Sequence, residues 1–515
     1  MATPAPRGTA RGRNSGVVAK SPDRVTEEVA GQKNRALTRA GARPDYQPRI
    51  GLPGARCPSR IGGELVLMGS AMRIADVLGR CVPVVLTLAG ALVIPAAAGG
   101  QTPGAGVVTF TKDVAPILQR SCQSCHRAGE LAPMSLGSYQ EVRPWARSIK
   151  AKVASRAMPP WHVDQTIGIT KFKDDPALSD REIETIVKWV DAGAPQGNPA
   201  DLPAPRQFAE AGAWQIGTPD LIIKFPAYDV AAAGPDLFGE LLADIPIDED
   251  RYIKAIQTRS ATRASHKVVH HALSYSVDRG EGSAMGDGGQ FLVEYAQGKN
   301  AEVYPEGTGV LLKKGQQARL SYHLHSIGEA TKAEVELGLV LYPKGYAPKH
   351  IRWSRQLAQP TTPLDIPAGT VARSDGYTIL HKPARLISFQ PHMHNLGKRQ
   401  CLELIYPTSG TRTTTEMINC ADFNNNWHLT YNYADEVQPL VPAGTILHNI
   451  QWHDNSPSNP RALDPKNWVG DGQRTIDEMG FFWIGWVELT EEEYKTQLAE
   501  RKAAQRMPVP SGRQQ

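Results

Sequence analysis

Between residues 106 and 200 the hydrophobic residues recur at helical spacing. The stretch FTKDVAPILQRS, residues 110–121, places three apolar side chains on one side of a helix: Val114, Ile117 and Leu118. A second helix is predicted in LSDREIETIVKWVDAGAP, residues 178–195, where Ser179 and Glu182 form a capping box. Its predicted buried stripe consists of Ile183, Ile186, Val187 and Val190. This part of the chain therefore predicts a small all-α domain over 106–200.

After residue 200 the pattern changes to short alternating strands separated by Gly, Pro and Asn turns. RYIKAIQTRS, ARLSYHLHSI, EVELGLVLYP and ARLISFQPHMH all alternate apolar and polar residues. This spacing predicts β-sandwiches, and about 280 residues are enough for two of them. We place the first at 214–355 and the second at 356–492. A charged helical tail is predicted for 493–515.

The N-terminal residues differ from both patterns. Residues 1–67 hold 12 Lys/Arg and 5 Asp/Glu, a surplus of +7 against a net charge of +5, so the remainder is near −2. This predicts a disordered Arg-rich leader, and we expect no nucleic-acid partner. Residues 68–98 follow, with an apolar run of about 15 residues that ends in small side chains, as in a secretory signal peptide. The alternative is a membrane anchor, but the run is shorter than the ~20 residues a spanning helix needs.

A signal segment that begins at residue 68 indicates that translation starts at Met68 or Met72. We therefore expect a periplasmic or secreted protein with no stable membrane span after removal of the signal. In an oxidising compartment Cys401 and Cys420 could form a disulfide, although their spacing does not prove the bond.

CQSCH at residues 122–126 is the attachment signature of a c-type haem. Cys122 and Cys125 would form the thioethers and His126 would bind the iron. A redox-active C-x-x-C pair is the alternative reading. Met158 in RAMPPWH is the predicted sixth ligand, because a methionine ligand suits electron transfer; Met134 is its rival.

Histidines cluster on the predicted strands. HKVVHHALSY carries His270 and His271, SYHLHSIG carries two more, and QPHMH ends in His392 and His394. Neighbouring residues of a strand point to opposite faces, so His270 and His271 can share a metal only if a bulge or different ring nitrogens bring them together. Imidazoles with a methionine thioether, such as that of Met479, favour copper.

In that order, HHALSY, YHLHSIGE, HMHNLGK and DEMGFFW resemble the copper type II, ascorbate-dependent monooxygenases. This family includes peptidylglycine α-hydroxylating monooxygenase and dopamine β-monooxygenase, and the resemblance covers about 220–490. It implies two jelly-roll-like sandwiches with one copper ion on each, facing across a solvent-filled cleft. WHDNSPSNP and DGQRTIDEM are similar to a bacterial branch in which a cytochrome c domain precedes the sandwiches.

The resemblance also implies the ligand sets. An electron-transferring copper would be held by His270, His271 and His325. An oxygen-activating copper would be held by His392, His394 and Met479. The cofactors implied are therefore two copper ions and one covalently bound haem c.

Departures from the family concern the substrate. Gln390 stands where peptide-hydroxylating members carry an arginine that binds the substrate carboxylate. Phe481 and Trp483 replace their asparagine and tyrosine, and Gly480 replaces a disulfide cysteine. A peptidylglycine substrate is therefore not expected, and the pocket should be more aromatic and apolar.

Other histidines have no role in the family pattern. His323 could be a neighbouring or competing ligand or a surface residue. We expect structural or surface positions for the remaining four: His266, His428, His448 and His453.

These features predict a copper monooxygenase that hydroxylates a C–H bond of a small organic substrate with O2. Electrons from an ascorbate-like reductant or a periplasmic donor would pass through the haem to the copper of His270, His271 and His325. The fusion of the haem domain would raise the effective concentration of the donor. The alternatives are a periplasmic cytochrome c and copper electron-transfer protein without oxygenase activity, and a ligand-binding module.

Overall fold

The structure is a computed structural model that describes residues 106–130, 132–208, 213–280, 289–296, 298–408 and 413–506. All of them belong to one compact unit, Pro95–Gln515. The predicted leader (1–67) and signal segment (68–98) lie outside the described residues. Within the described part of the chain, no helix has the length and apolar character needed to cross a membrane.

Helices build the N-terminal domain. They pack around a core that contains Val114, Leu118, Ile186 and Trp189. Its elements are a π-helical turn Phe110–Val114, α1 Ala115–Ser121, α2 Tyr139–Val142, a 3-10 turn Arg143–Trp145, α3 Ala146–Ala154, α4 Asp180–Asp191 and a 3-10 turn Pro199–Asp201.

Helix α4 begins as predicted. The side chain of Ser179 accepts from the Glu182 backbone, and the Glu182 carboxylate accepts from the Ser179 backbone, which confirms the capping box. Ile186 is fully buried, whereas the pattern missed Trp189, which is also fully buried. Its indole N–H donates to the Pro195 carbonyl at 2.9 Å, so the ring has a polar partner as well as apolar ones.

After the helical domain, most of the regular elements are strands, together with two helices and one 3-10 turn. The first group is β1 Leu221–Lys224, β2 Tyr228–Val230, β3 Leu237–Asp244, β4 Arg251–Ser260, helix α5 Arg263–Val268, β5 Val269–Val277, β6 Gln290–Ala296, β7 Glu302–Val303, β8 Thr308–Leu312, β9 Gln317–Leu324, β10 Thr331–Ala333, β11 Val335–Leu341 and β12 His350–Leu357.

The second group is β13 Asp365–Ile366, β14 Val371–Ile379, β15 Ala384–His392, β16 Gly397–Tyr406, β17 Thr414–Asp422, β18 Tyr431–Asn432, a 3-10 turn Asp435–Val437, β19 Leu440–Val441, β20 Ile446–Asp454, β21 Val469–Gly470, β22 Phe481–Glu488 and helix α6 Glu491–Arg506. The four strands that the alternating pattern predicted are β4, β9, β11 and β15, so those predictions are confirmed.

The strands form two sandwiches. In the first, β3-β9-β5-β6 packs on β1-β11-β4-β8 around a shared core that includes Ile256, Leu320 and Leu337. In the second, β14-β20-β16-β17 packs on β12-β22-β15-β18 around Phe389 and Leu402. The molecule is thus a few N-terminal helices followed by mostly β structure, as the sequence predicts.

One strand belongs to both sandwiches. β12 pairs in parallel with β8 of the first sandwich and antiparallel with β22 of the second, which joins their sheets into one of ten strands. The predicted boundary near residue 355 falls inside this strand. The two sandwiches therefore share backbone hydrogen bonds.

The segment 161–172, which follows Met158, packs into the second sandwich. Val163 and Phe172 belong to its core, and Val163 forms a β-bridge with Ala421. Asp164 accepts from Arg399 at 2.6 Å. The helical domain and the second sandwich are therefore packed together.

Cys401 and Cys420 face each other across β16 and β17 and form a disulfide. This settles what the spacing of the two cysteines left open. Cys122 and Cys125 are both free thiols.

Candidate functional site

The first histidine pair lies on an irregular strand. Val269 pairs with Leu324 and His271 pairs with His323, so β5 uses two residues where β9 uses one. This register shift is the bulge that the sequence analysis required if His270 and His271 were to face one site. Their ring centroids lie 5.5 Å apart.

His323 is closer to this pair than the sequence analysis expected. Its ring lies 4.9 Å from His270 and 5.2 Å from His271, and it is buried rather than at the surface. Its Nε2–H donates to Asp236 at 2.8 Å, which leaves Nδ1 for another partner. The predicted ligand His325 lies just after β9, with its ring 5.6 Å from His270.

The second set is His392, His394 and Met479. β15 ends at His392, so His394 lies in the turn that follows rather than on the strand, and the two rings are 5.6 Å apart. His394 donates from Nδ1 to the Asp477 carbonyl at 2.9 Å, so its Nε2 is the nitrogen left for a metal.

Glu478 holds the turn that carries His394, and the sequence analysis did not single it out. Its carboxylate is fully buried and accepts from the backbone N–H of His394 at 3.0 Å and of Leu396 at 2.6 Å. Burial raises the pKa of Glu478 to about 8. In the sequence DEM, residues 477–479, the first two residues therefore fix His394, and the third is the candidate thioether ligand.

His428 joins the two sets. Its ring lies 5.3 Å from His392 of the second set and 5.5 Å from His271 of the first. It is 3% exposed, so of the two expected positions, structural or surface, it does not take the surface one, and it comes from the loop before β18. A single histidine in NNWHLTY carries no sequence signal for this position.

The histidines fit metal binding in two respects. Nδ1 of His271 and Nδ1 of His392 are buried without a hydrogen-bond partner, although buried polar atoms normally have one. Burial lowers the pKa of His270 to about 3 and that of His394 to about 4, so both rings keep a neutral, metal-binding form.

The histidine rings, as they are placed, do not form a complete coordination shell for a metal ion. In the described residues, no three His, Cys, Asp or Glu side chains are arranged so that they could hold a metal ion. Two imidazoles bound to one ion at ~2.0 Å hold their ring centres roughly 5 Å apart. The observed separations of 4.9–5.6 Å within each set are close to this value.

Members of both sets line one cavity of about 610 Å³ between the sandwiches, although the predicted ligands His270 and His325 are not among its lining residues. His271 and His323 line it from the first sandwich, and His392, His394 and Met479 line it from the second. Aromatic rings form part of the remaining wall, those of Tyr275, Phe291, Phe481 and Trp483, and polar side chains such as Gln290, Arg355 and Gln356 form much of the rest, so the pocket is less apolar than the sequence predicts. Phe291 and Trp483 stack with centroids 4.0 Å apart, so residues of both sandwiches pack together at this wall.

Gln390 belongs to a buried polar cluster rather than to the cavity wall. It accepts from Lys299 at 2.9 Å and from Thr430 at 2.7 Å, and it donates to Glu294. Although burial alone would raise the pKa of Glu294, the ammonium of Lys299, 3.1 Å away, holds it well below its usual range. Glu294 and Lys299 come from the first sandwich, so this cluster links it to the second.

The C-x-x-C-H segment fits a covalently bound haem. Backbone N–H groups of Cys125 and His126 both donate to the Cys122 carbonyl, so the segment is a compact turn. His126 donates from Nδ1 to the Met134 carbonyl at 3.2 Å, which fixes its tautomer and leaves Nε2 for iron.

The same hydrogen bond shows where Met134, the rival sixth ligand, lies: its backbone carbonyl contacts Nδ1 of His126. Met158 lies at the start of the segment that packs on the second sandwich. The choice of Met158 as the sixth ligand stays a prediction.

No protein-family model matches this chain, and no curated protein matches it. A similar solved structure is the VP2 subviral particle of infectious bursal disease virus, with 9% identity over 54% of this chain and 73% of that chain, and a TM-score of 0.18. Another is the tandem CBM22-1–CBM22-2 domain of Paenibacillus barcinonensis Xyn10C, with 10% identity over 50% and 93% of the two chains and a TM-score of 0.17. TM-scores this low support no inference about activity.

Proposed function

We propose that this chain is an exported copper monooxygenase with a c-type haem, which hydroxylates a C–H bond of an organic substrate. The reaction consumes the substrate, O2, two electrons and two protons, and yields the alcohol and water. Copper, when bound, would supply the one-electron chemistry with O2, and the haem would deliver electrons. The disulfide between Cys401 and Cys420 is consistent with export.

The observation that supports this proposal most is the single cavity that members of both histidine sets line. A molecule in this cavity would contact His271 and His323 on one side and His392, His394 and Met479 on the other. An electron carrier needs no room for a substrate next to its metal. A thioether beside two imidazoles suits reduced copper, the form that reacts with O2.

We assign the ligands from the ring contacts. His392, His394 and Met479 would hold the oxygen-activating copper, and His270 and His271 the electron-transferring one. His323 is a better third ligand than His325, because its ring lies near both His270 and His271. Asp236 would orient it, as carboxylates commonly orient metal-bound histidines.

The cavity wall combines aromatic rings with polar side chains, so we propose an organic substrate that carries polar groups beside its apolar or aromatic part. Phe481 and Trp483 line it at the positions where peptide-hydroxylating members carry polar residues. The cationic Arg319 is buried, lies 3.7 Å from Glu240 and lies over the ring of Tyr275. Its charge is balanced by Glu240, but the exposed guanidinium of Arg355 also lines the cavity, so the cavity still offers a cation to an anionic substrate group.

The haem would lie beside the second sandwich if Met158 binds its iron. Trp161, three residues later, packs edge-on against Tyr431 with centroids 4.7 Å apart. This contact supports a route for electrons from the haem domain through the second sandwich. Electrons would then enter at the second sandwich, which differs from the relay predicted from the sequence, where the haem delivers them to the copper of His270 and His271.

Rapid mixing with O2 tests the proposal. The full mature chain, loaded with haem and copper and reduced with ascorbate, should show rapid haem reoxidation by O2. The Met479→Ala variant should reoxidise at the slow rate of copper-free protein. A small-aromatic-compound screen under ¹⁸O2 should then give a labelled alcohol.

The second candidate is a cytochrome c and copper electron-transfer protein. The thiol and imidazole groups of residues 122–126 support it as well as they support an oxygenase. Equal reoxidation rates for wild-type, Met479→Ala and copper-free protein would favour this candidate and contradict the monooxygenase.

A further inference from the structure

His428 is a buried histidine whose Nε2 has no hydrogen-bond partner and whose Nδ1 has only a long contact with the Glu294 carboxylate. The nearest carboxylate oxygen, Oε1 of Glu294, lies 3.5 Å from Nδ1, which is longer than a normal hydrogen bond. The other carboxylate oxygen of Glu294 is already bonded by Lys299 and Gln390. An imidazole buried in this way costs free energy unless another partner binds it.

Another buried histidine of the same sandwich is satisfied. His448 donates from Nδ1 to Glu403 and from Nε2 to Asp375, both at 2.8 Å. The difference shows that burial in this sandwich does not by itself deprive an imidazole of its partners. The neighbours of His428 are instead three imidazoles, those of His270, His271 and His392, together with the Glu294 carboxylate.

The loop that carries His428 is anchored on both sides of it. Asn425 donates to Asn395 at 3.1 Å, and Thr430 donates to Gln390 at 2.7 Å. Trp427 packs against Gly298 of the first sandwich so closely that a Cβ there would lie 2.6 Å from the indole. The ring of His428 is therefore held in place by contacts outside the histidine cluster.

We propose that His428 is a further metal-ligating residue, which binds the copper ion of His392, His394 and Met479. This inference rests on the proposed function. Its nearest ring in that set, His392, is 5.3 Å away, close to the roughly 5 Å expected for two imidazoles on one ion. The set of His392, His394 and Met479 contains only two imidazoles and one thioether, so His428 would be its fourth ligand. The copper proposed for the first sandwich already has three imidazole ligands.

The position of His428 also places it next to histidines of the other candidate copper site. The ring of His428 is 5.5 Å from His271 and 6.0 Å from His270. A ligand of the second copper would thus lie in contact with ligands of the first. The two sets are then connected through protein rather than only across solvent, which is a route for an electron between them.

Two variants separate a ligand from a structural residue. His428→Leu removes both ring nitrogens and keeps an apolar side chain, and His428→Gln keeps a hydrogen-bond donor near Glu294 but does not replace an imidazole ligand. His448→Leu is the control, because its imidazole has two carboxylate partners far from any predicted ligand. All are made in the full haem-loaded chain.

The readouts are Cu(I) affinity by competition with bicinchoninate, the EPR spectrum of the Cu(II) form, and the thermal midpoint of the copper-free protein. We expect both His428 variants to weaken one of two copper sites at least about tenfold and to change its hyperfine splitting. The midpoint of copper-free His428→Leu should be unchanged or higher. His448→Leu should lower the midpoint and leave both copper sites intact.

The inference is overturned if His428→Gln keeps wild-type copper affinity and EPR spectrum. A lower midpoint for copper-free His428→Leu with normal copper binding would also overturn it, in favour of a structural role. His392→Ala distinguishes the two levels of failure. If His392→Ala loses copper and the His428 variants do not, only this inference fails, whereas a wild-type chain that binds no copper contradicts the proposed function itself.

Discussion

At the scale of single residues, the candidate metal ligands are held in place by neighbouring groups that are not ligands themselves. His394 lies beyond the end of β15, where no strand hydrogen bonds fix it. The Asp477 carbonyl orients its ring, and the Glu478 carboxylate binds its backbone N–H. The short sequence Asp-Glu-Met thus places three parts of one site together.

Replacing Glu478 with Gln tests this role. Above about pH 8, where Glu478 is ionised, its carboxylate offers two acceptors and an amide only one, so the backbone N–H of His394 or Leu396 would lose its partner. We expect a loss of about 1–3 kcal/mol in the free energy of unfolding and a weaker copper site on the second sandwich. Denaturant titration and copper analysis measure both.

The control for this change is Glu403→Gln. Glu403 also pairs with a buried histidine, His448, in the same sandwich but outside the cluster. The Glu403→Gln variant should have a lower free energy of unfolding than the wild type and should keep its copper. If both variants bound copper like the wild type, Glu478 would not position His394.

The sequence and the structure favour different histidines as the third copper ligand on the first sandwich. The family resemblance assigns His325, whereas the ring of His323 lies near both His270 and His271. We expect His323→Ala to abolish copper binding at the first sandwich and His325→Ala to weaken it less, as measured by copper per protein. The reverse order would restore the sequence-based assignment.

The sequence predicted these residues to different degrees. The pairs His270–His271 and His392–His394 stand out because their spacing is compact and their strands alternate regularly. His428 and Glu294 do not, because each is a lone polar residue whose significance comes from the packing of one sandwich against the other. A charged residue in the apolar strand FLVEYA was the only hint of the buried Glu294.

At the scale of elements, the alternation of apolar and polar residues predicted where strands lie. It did not predict which strands pair, because pairing depends on the tertiary structure. β4, β9, β11 and β15 lie where the pattern placed them. β12 pairs with both sandwiches, which no local pattern encodes, and the predicted cut near 355 divides it. The segment 161–172 likewise has no strand pattern and yet contributes Val163 and Phe172 to a sandwich core.

The loop carrying Trp427 and His428 depends on a glycine in the other sandwich. Gly298 has a φ of +77°, and a Cβ there would lie 2.6 Å from the Trp427 ring. Gly298→Ala should therefore shift this loop and destabilise the protein by about 1–3 kcal/mol. It should also weaken copper binding if the loop positions a ligand.

Gly345→Ala is the matched control. Gly345 has a similar φ of +73° but no atom within 4 Å of an added Cβ, so it carries only the backbone cost. Denaturant unfolding and chelator competition of both variants would separate the two effects. Equal losses would mean that the Trp427 contact does not matter.

At the scale of the whole molecule, the helical domain is packed on the second sandwich. Asp422 donates its backbone N–H to the His162 carbonyl at 3.0 Å, next to the Trp161–Tyr431 contact. These contacts lie on the second sandwich, which carries His392 and His394. They connect the helical domain with the second sandwich, whereas the relay predicted from the sequence runs to the copper of His270 and His271 on the first.

Trp161→Leu tests this connection. Loss of the ring should slow reoxidation of the reduced haem by O2 and cost about 0.5–3 kcal/mol in the free energy of unfolding. Trp145→Leu, which changes a tryptophan that is 43% exposed in the helical domain, should leave the rate unchanged. An unchanged rate in Trp161→Leu would exclude a route through this contact.

The most direct test of the central proposal is the copper-to-haem ratio of the mature protein, exported with haem maturation intact. We predict two copper ions per haem, falling to one after His392→Ala or Met479→Ala and staying at two after His448→Ala. A protein without copper, or one whose copper is unaffected by the first two changes, would contradict the two-site monooxygenase.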